Sequence, residues 1–481
     1  VLIGIVAALL AAPAAAAPAT RAPRPGSLAA DLDAIVDRRT FEAAFWGIEV
    51  RDLADGRVLY ARDAGKSMMP ASVNKLFATA AALDAYGPEA RFLTSVESAA
   101  PLDAQGRLAG DLYLVGRGDP GLGDVGEDGR EGLDALADAL VASGVRTVAG
   151  RLVGLDAAFT GERRGPAWEW GDLVWCYGAE ASGLSWNGSC ADVVVSPGPT
   201  PGAPVEVTRR PDSSYYDVVS TATTSAPGAE ADLRLVRELG SSRIEVSGTY
   251  PSRAGARVLS VALENPALYA TTVFGERLAA RGVRVEGGVS AGSGPPPEGA
   301  RVLAARRSEP MAQILERTNK PSDNLKAETL LRLLGLQVHG EGSLEAGVAG
   351  VGEFLQRSGI DASAASFEDG SGLSLTDLVT PHQIVDLLAA MDRHRYAKSF
   401  RDSLAVAGRD GTLEHRMRGT RAEGRLIGKT GTRRHVAAIA GYVDVAPGRR
   451  LAFAVVLNHH TLSTREATAA LDAICERLAR P

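Results

Sequence analysis

Three short stretches hold the residue types that acyl-transfer chemistry needs. Ser72-Val73-Asn74-Lys75 sets a serine hydroxyl one helical turn before a lysine, and Ser322-Asp323-Asn324 and Lys429-Thr430-Gly431-Thr432 follow far down the chain. A serine hydroxyl is a poor nucleophile until a base takes its proton. Helix positions three apart share a face, so Lys75 can reach the Ser72 oxygen. To act as that base near neutral pH its ammonium must lose about 3 pKa units, worth about 4 kcal/mol. Burial and the nearby charge of Lys429 both push that way. The lysines also stand out by rarity: only six of the 52 basic residues are lysine. Lysine can lose its proton when buried, and arginine cannot. Ser72 is thus read as nucleophile and Lys75 as base. Ser322 would relay a proton to the leaving amine, and Asn324 would hold Lys75 and a substrate amide. Lys429 and Thr430 would bind a terminal carboxylate. The strand through Gly431 and Thr432 would pair with substrate backbone, and the amides of Ser72 and Thr432 would form an oxyanion hole. One such donor is worth about 2.7–4 kcal/mol.

Each stretch has a plainer reading alone. Ser72 could simply cap a helix, Ser322-Asp323-Asn324 after Pro321 could be an ordinary turn or cap, and Lys429-Thr430-Gly431 could be an exposed strand end. Their joint occurrence, in order and each on a suitable element, favours the chemistry. No Gly-x-Ser-x-Gly elbow occurs, so an α/β-hydrolase plan lacks its signature.

The elements that must position these residues come from both ends of the chain. Residues 27–38 have helical periodicity, with Leu28, Leu32, Ile35 and Val36 on one side. Phe45–Val50 and Val58–Tyr60 flank Asp55-Gly56, a hairpin signal. Ser72 opens an apolar helix ending at Gly87. Near the far end, Arg425–Thr432, Val436–Val445 and Leu451–Leu457 read as strands and Leu462–Arg480 as an amphipathic helix. One sheet built from both ends follows, with the middle inserted. That middle contains an internal echo. Asp134–Ser143 and Thr272–Arg281 are amphipathic helices, each followed by a Gly stop and a short strand. They read as related αβ units, since two copies are too few for a solenoid.

Bulk properties set the outer limits. The 481 residues suffice for two to four domains. The composition, 45% hydrophobic and 23% charged, is globular, and the net charge of −6 argues against a nucleic-acid groove. Residues 1–17, apolar and then Ala-rich, read as a secretory signal peptide, and 18–26 as a Pro-rich tether. The apolar run is short for spanning a membrane, so no stable transmembrane anchor is expected. Export allows a disulfide. Cys176 and Cys190, 14 residues apart around a loop-like stretch, are the expected pair, and Cys475 reads as a buried hydrophobe. His382, His435, His459 and His460 lack ligand spacing for a metal.

The trio of motifs is the set found in penicillin-binding proteins and class A β-lactamases. Beyond it, the chain resembles the D-Ala-D-Ala carboxypeptidase/endopeptidase family of class C low-molecular-mass penicillin-binding proteins (the DacB type, peptidase S13). The resemblance covers nearly the whole mature sequence. Its carriers are Pro70–Ala82, Tyr113–Pro120, Glu264–Ala270, Asn319–Leu330, Asp369–Ser374 and Gly428–Tyr442, with 250 positions between Ser72 and Ser322. It implies an α/β (α+β) fold: a penicillin-binding/β-lactamase-like transpeptidase domain, its antiparallel sheet flanked by helices, with two inserted mixed α/β domains. The catalytic domain would be 27–93 with 309–481, the second domain 94–119 with 209–308, and the third 120–208. It also implies a periplasmic serine carboxypeptidase or endopeptidase that needs no cofactor. Its partners would be peptidoglycan stem peptides and β-lactams. Asp172 and Tyr177 match positions that contact the free amine of the stem peptide's diaminopimelate, and Ser371 lies in the Asp-Gly-Ser-Gly-Leu-Ser stretch as a substrate contact. Two departures bear on side-chain recognition: Leu375 stands where the family usually has Arg, and Arg433 where it has a hydrophobic residue. The rival readings are a β-lactamase or D-amino-acid peptidase on the same site, and a non-catalytic penicillin-sensing or wall-binding protein.

Overall fold

The computed structural model describes residues 26–126 and 129–480, so the expected signal segment and nearly all of the tether lie outside the described residues. An antiparallel six-stranded sheet is assembled from both chain ends, as expected. Its order is Ala405–Val406, Leu426–Arg433, Val436–Ala446, Arg449–Asn458, Phe45–Asp52, Val58–Arg62. The central strands carry near-continuous apolar runs because both faces are covered. On one face lie the helices Leu28–Val36 and Thr464–Leu478, which bury Leu32, Ile474 and Leu478 against Ile439 and Phe453. On the other lie Lys75–Tyr86, Asn324–His339 and Pro381–Asp392, burying Phe77, Leu330 and Leu388 against Ala438 and Ala454. Each large apolar side chain so buried contributes about 1.5–3 kcal/mol.

The helix Lys75–Tyr86 is buried from Lys75 to Leu83, and nearly all its residues are apolar or small. A helix apolar all round belongs inside a protein. Its lysine is therefore carried into the interior with it. Gly87, in a positive-φ conformation, accepts the abrupt exit at the C-terminal end.

The described residues in the middle of the chain form four smaller sheets. A mixed five-stranded sheet runs Val289–Ser293, Leu152–Asp156, Leu112–Gly116, Leu93–Ser98, Arg301–Arg307. The two echoing units meet in parallel, Thr147–Val148 beside Arg284–Val285 and Leu152–Asp156 beside Val289–Ser293. Leu152–Asp156, from the stretch read as a separate third unit, thus lies in one sheet with strands of the second. The helix Pro266–Ala280 packs on Leu152–Asp156 and Val289–Ser293, one strand from each copy, whereas the helix Gly132–Ala142 packs on Arg301–Arg307.

Candidate active site

Ser72 does not cap a helix. It lies in a short 3-10 turn, Ala71–Asn74, that leads into the helix beginning at Lys75, and no side-chain cap closes either segment. Ala71 just before it has φ +47°, an unusual conformation for a residue with a Cβ. The hydroxyl is left to Lys75, whose Nζ donates to Ser72 Oγ at 2.9 Å, to Asn324 Oδ1 at 2.6 Å and to the Ser371 carbonyl at 2.6 Å. An ammonium has three N–H bonds, and these three acceptors use them all. Lys75 is fully buried. Burial pushes its pKa down to about 8, although the charges of Asp369, Asp323, Glu328 and Asp377 pull upward.

The second and third motifs meet the first at this point. Asp323 is indeed a cap, its carboxylate accepting from the Lys326 amide at 2.9 Å. That cap fixes the start of the next helix, with Ser322 just outside it at φ +66° and Asn324 as its first residue. Backbone held in such regions clusters at functional sites. Ser322 Oγ accepts from Lys429 Nζ at 2.7 Å, and Lys429 also donates to the Thr430 carbonyl at 2.9 Å. Lys429 is fully buried. Burial first, and the charge of Lys75 second, hold its pKa well below the lysine range. Thr430 is nearly buried, its hydroxyl on that of Thr412 at 2.8 Å, while Thr432 is exposed. Gly431 lets the strand approach the nucleophile: a Cβ there would sit 2.6 Å from the Pro70 carbonyl oxygen and 3.1 Å from the Ser72 amide nitrogen. The neighbouring strand Ala405–Val406 pairs only with Ile427 and Gly428, so beyond Gly428 that edge has no strand partner among the described residues.

Residues that sequence reasoning did not single out hold this arrangement in place. Asp369 accepts from the amides of Ser371, Gly372 and Ser374 and from Trp168 Nε1, all within 3.0 Å. Buried Glu328 accepts from the amides of Gly370 and Ser371 at 3.0 Å each and from Arg332 at 2.9 Å. Burial and the neighbouring Asp369 raise the Glu328 pKa, and the same two causes raise that of Asp377 well above the carboxylate range. These acids curl the loop until the Ser371 carbonyl points at Lys75. Ser371, expected against substrate, is instead fully buried behind Lys75. It serves through its carbonyl, while its hydroxyl accepts from the Leu373 amide at 3.2 Å. The signal that could have exposed Glu328 and Arg332 is their (i, i+4) spacing in an otherwise apolar helix.

A loop from the inserted region closes over one side. Asn324 Nδ2, the arm expected to take a substrate amide, donates to the Tyr177 carbonyl at 2.8 Å. The Tyr177 hydroxyl donates to Asp172 Oδ1 at 3.2 Å. Asp172 also receives Arg433 Nη2 at 2.9 Å, and the same nitrogen reaches Glu169 at 3.0 Å. Arg433, one of the two departures, thus pairs with the residue expected to meet a substrate amine. Leu375, the other, is exposed. The loop is anchored by the expected Cys176–Cys190 disulfide, and Cys475 is a buried free thiol. Trp170 on the same loop is 80% exposed.

A serine touched by a buried lysine of lowered pKa, a second buried lysine beside a second serine, and an open strand edge make a serine acyl-transfer site. With the terminal-sheet architecture they define the penicillin-binding class of serine enzymes. The family model for the D-Ala-D-Ala carboxypeptidase 3 (S13) family matches residues 28–478, and the chain belongs to that family. It is 38% identical over 461 residues to a D-alanyl-D-alanine carboxypeptidase of Actinomadura sp. (strain R39), covering 93% of this chain and 84% of that protein. The fold matches penicillin binding protein 4 (dacB) from Haemophilus influenzae with a TM-score of 0.82 at 24% identity, over 94% of this chain and 99% of that one. A predatory peptidoglycan endopeptidase from Bdellovibrio bacteriovorus shares the fold more distantly, with a TM-score of 0.52 at 17% identity over 91% of this chain and 92% of that one.

Proposed function

We propose that this S13 peptidase removes the terminal D-Ala from peptidoglycan stem peptides through an acyl-enzyme on Ser72, and that β-lactams acylate the same oxygen. The observation that carries the reading is the 2.9 Å contact between Ser72 Oγ and the fully buried Lys75 Nζ. Lys75 in its free-amine form takes the Ser72 proton as Oγ attacks the carbonyl between the two D-Ala residues. The amides of Ser72 and Thr432 stabilise the oxyanion. The substrate's terminal carboxylate settles beside Lys429 and Thr430. That negative charge favours a charged Lys429, and the two lysines repel, so binding drives the shared proton away from Lys75. Ser322, hydrogen-bonded to Lys429, passes its proton to the leaving D-Ala amine and regains one from Lys75, which returns to the free amine. Water then attacks the acyl-enzyme, and Lys75 again serves as base. Cleavage of cross-linked peptides follows the same route with a bulkier leaving group. The catalytic unit is assigned to 27–93 with 309–481, and the middle is an insertion that supplies the Asp172–Tyr177 wall.

The proposed setting is the cell-wall side of the membrane, to which the chain is exported. Supporting this are the apolar N-terminal segment and the disulfide, which persists in oxidising compartments. Among the described residues no helix is long and apolar enough to cross a membrane.

The test is intact-mass measurement with penicillin, followed by peptide mapping. D-Ala diffuses from the acyl-enzyme and admits water, whereas an opened β-lactam stays tethered and blocks it. No Glu-x-x-x-Asn stretch of the class A β-lactamase kind follows Ser322-Asp323-Asn324. A long-lived adduct on Ser72 is expected, lost together with D-Ala release in Ser72→Ala. An adduct on another serine, or rapid penicillin turnover without D-Ala release from peptides, would overturn the proposal.

A further inference from the structure

The strand Arg449–Asn458 is apolar from Leu451 to Leu457 and then ends on a polar residue, Asn458, that is only 3% exposed. A buried amide needs hydrogen-bond partners. Both ends of this one find them on a single residue 389 positions away: Oδ1 accepts from the Met69 backbone N–H at 2.9 Å, and Nδ2 donates to the Met69 carbonyl at 3.1 Å. The side chain grips Met69 as two residues of a hydrogen-bonded antiparallel pair grip each other.

The nucleophile follows three residues later. Pro70 has no N–H, and its carbonyl is used inside the turn, accepting from the Val73 amide at 3.2 Å. Its ring fixes φ, so a displacement of Met69 is carried along the chain and not absorbed there. Ala71 holds φ +47°. Upstream, Met68 and Val379 exchange backbone hydrogen bonds at 2.9 and 3.0 Å. Downstream, Asn74 Nδ2 donates to the Asp369 carbonyl at 2.9 Å. Ser72 thus hangs between two anchored residues, Met69 and Asn74, with Gly431 close against its amide.

We infer that Asn458 is a positioning residue for acyl transfer: by holding Met69 it sets where the Ser72 amide and hydroxyl stand against the strand through Gly431. The inference rests on the reading of Ser72 as the nucleophile. The two side-chain hydrogen bonds of Asn458 go to Met69 and not to Ser72, so the residue acts through the backbone between them. Its loss should slow the acylation step and leave the seat of the carboxylate beside Lys429 and Thr430 intact. A reacting group misplaced by about 1 Å can cost about 10²-fold in rate.

Penicillin acylation followed at increasing concentration separates the limiting rate from the half-saturating concentration. Asn458→Ala should lower the limiting rate about tenfold or more and keep the half-saturating concentration within about twofold of wild type. A thermal melt reports that the variant is folded. Asn458→Asp has the same shape and carries the test if the alanine variant does not fold. Ionised, its carboxylate still accepts from the Met69 N–H but faces the Met69 carbonyl without a donor; protonated, it regains the donor and both bonds. Its limiting rate, taken relative to wild type at the same pH, should therefore climb as pH falls from 8 to 5. The relative rate of Asn458→Ala should not. His459 and His460, which follow Asn458, and His435, which precedes its strand partner Val436, are present in all three proteins, so the alanine variant controls for their titration. An unchanged limiting rate in a folded Asn458→Ala would overturn the inference, as would a loss confined to the half-saturating concentration. So would a relative rate of Asn458→Asp that is flat with pH. A wild-type protein that forms no adduct on Ser72 is a distinct result, one that overturns the nucleophile reading itself and this inference with it.

Discussion

The pH dependence of Ser72 acylation tests whether Lys75 is the base. In water a lysine of pKa 10.5 is about 0.03% free amine at pH 7, and one lowered to about 8 is about 10%. The shift makes the competent form roughly 300-fold more abundant, equivalent to about 3 kcal/mol. Its cause is the complete burial of Lys75 on a buried, largely apolar helix, partly offset by the acids around it. A base works when deprotonated, so the acylation rate constant should rise with pH from 6 towards 8 and level off above it. The limb belongs to the Lys75–Lys429 pair, because two buried ammoniums within one site lose their protons in linked steps. Penicillin has no group titrating in this range, so the profile reports the enzyme. Lys75→Met keeps the bulk and removes the base. It should slow acylation by about 10²–10⁴-fold, the range for general base catalysis, and abolish the rising limb. A thermal melt separates this from unfolding, since the Asn324 and Ser371 acceptors also lose their donor. A wild-type profile that is flat or falling from pH 6 to 8 would refute the reasoning, as would near-normal acylation in Lys75→Met.

Two further substitutions probe the geometry around that chemistry. Gly431→Ala adds a Cβ 2.6 Å from the Pro70 carbonyl oxygen and 3.1 Å from the Ser72 amide nitrogen, so the strand must back away from the nucleophile. Penicillin acylation should fall at least tenfold with little change in melting temperature; an unchanged rate would show that the close approach is not needed. Glu328→Ala leaves Arg332 buried without its carboxylate and frees the Gly370 and Ser371 amides. Chemical denaturation should report a loss of about 3–5 kcal/mol, and a loss below about 1 kcal/mol would refute the support role of Glu328.

The chemistry was legible in the sequence where it depends on residue type at short spacing. Ser72 and Lys75 are one turn apart, and lysine is scarce enough in this chain for Lys75 and Lys429 to stand out. Apolar strands and amphipathic helices at both ends likewise declared a sheet built from the two termini. Local periodicity depends only on which faces are buried, and that is written in the order of residues. Tertiary structure decided the rest. Ser371 reads as a polar loop residue, yet its carbonyl completes the Lys75 acceptors because Glu328 and Asp369 curl the loop. Asn324 gives one end of its amide to Lys75 and the other to the Tyr177 carbonyl, 147 positions away. Arg433 and Asp172 lie 261 positions apart, and neither residue type announces the other. A backbone carbonyl is the same at every position and an Arg–Asp pair is available to dozens of residues. Only the folded chain, by bringing these groups together and excluding water, determines which of them act.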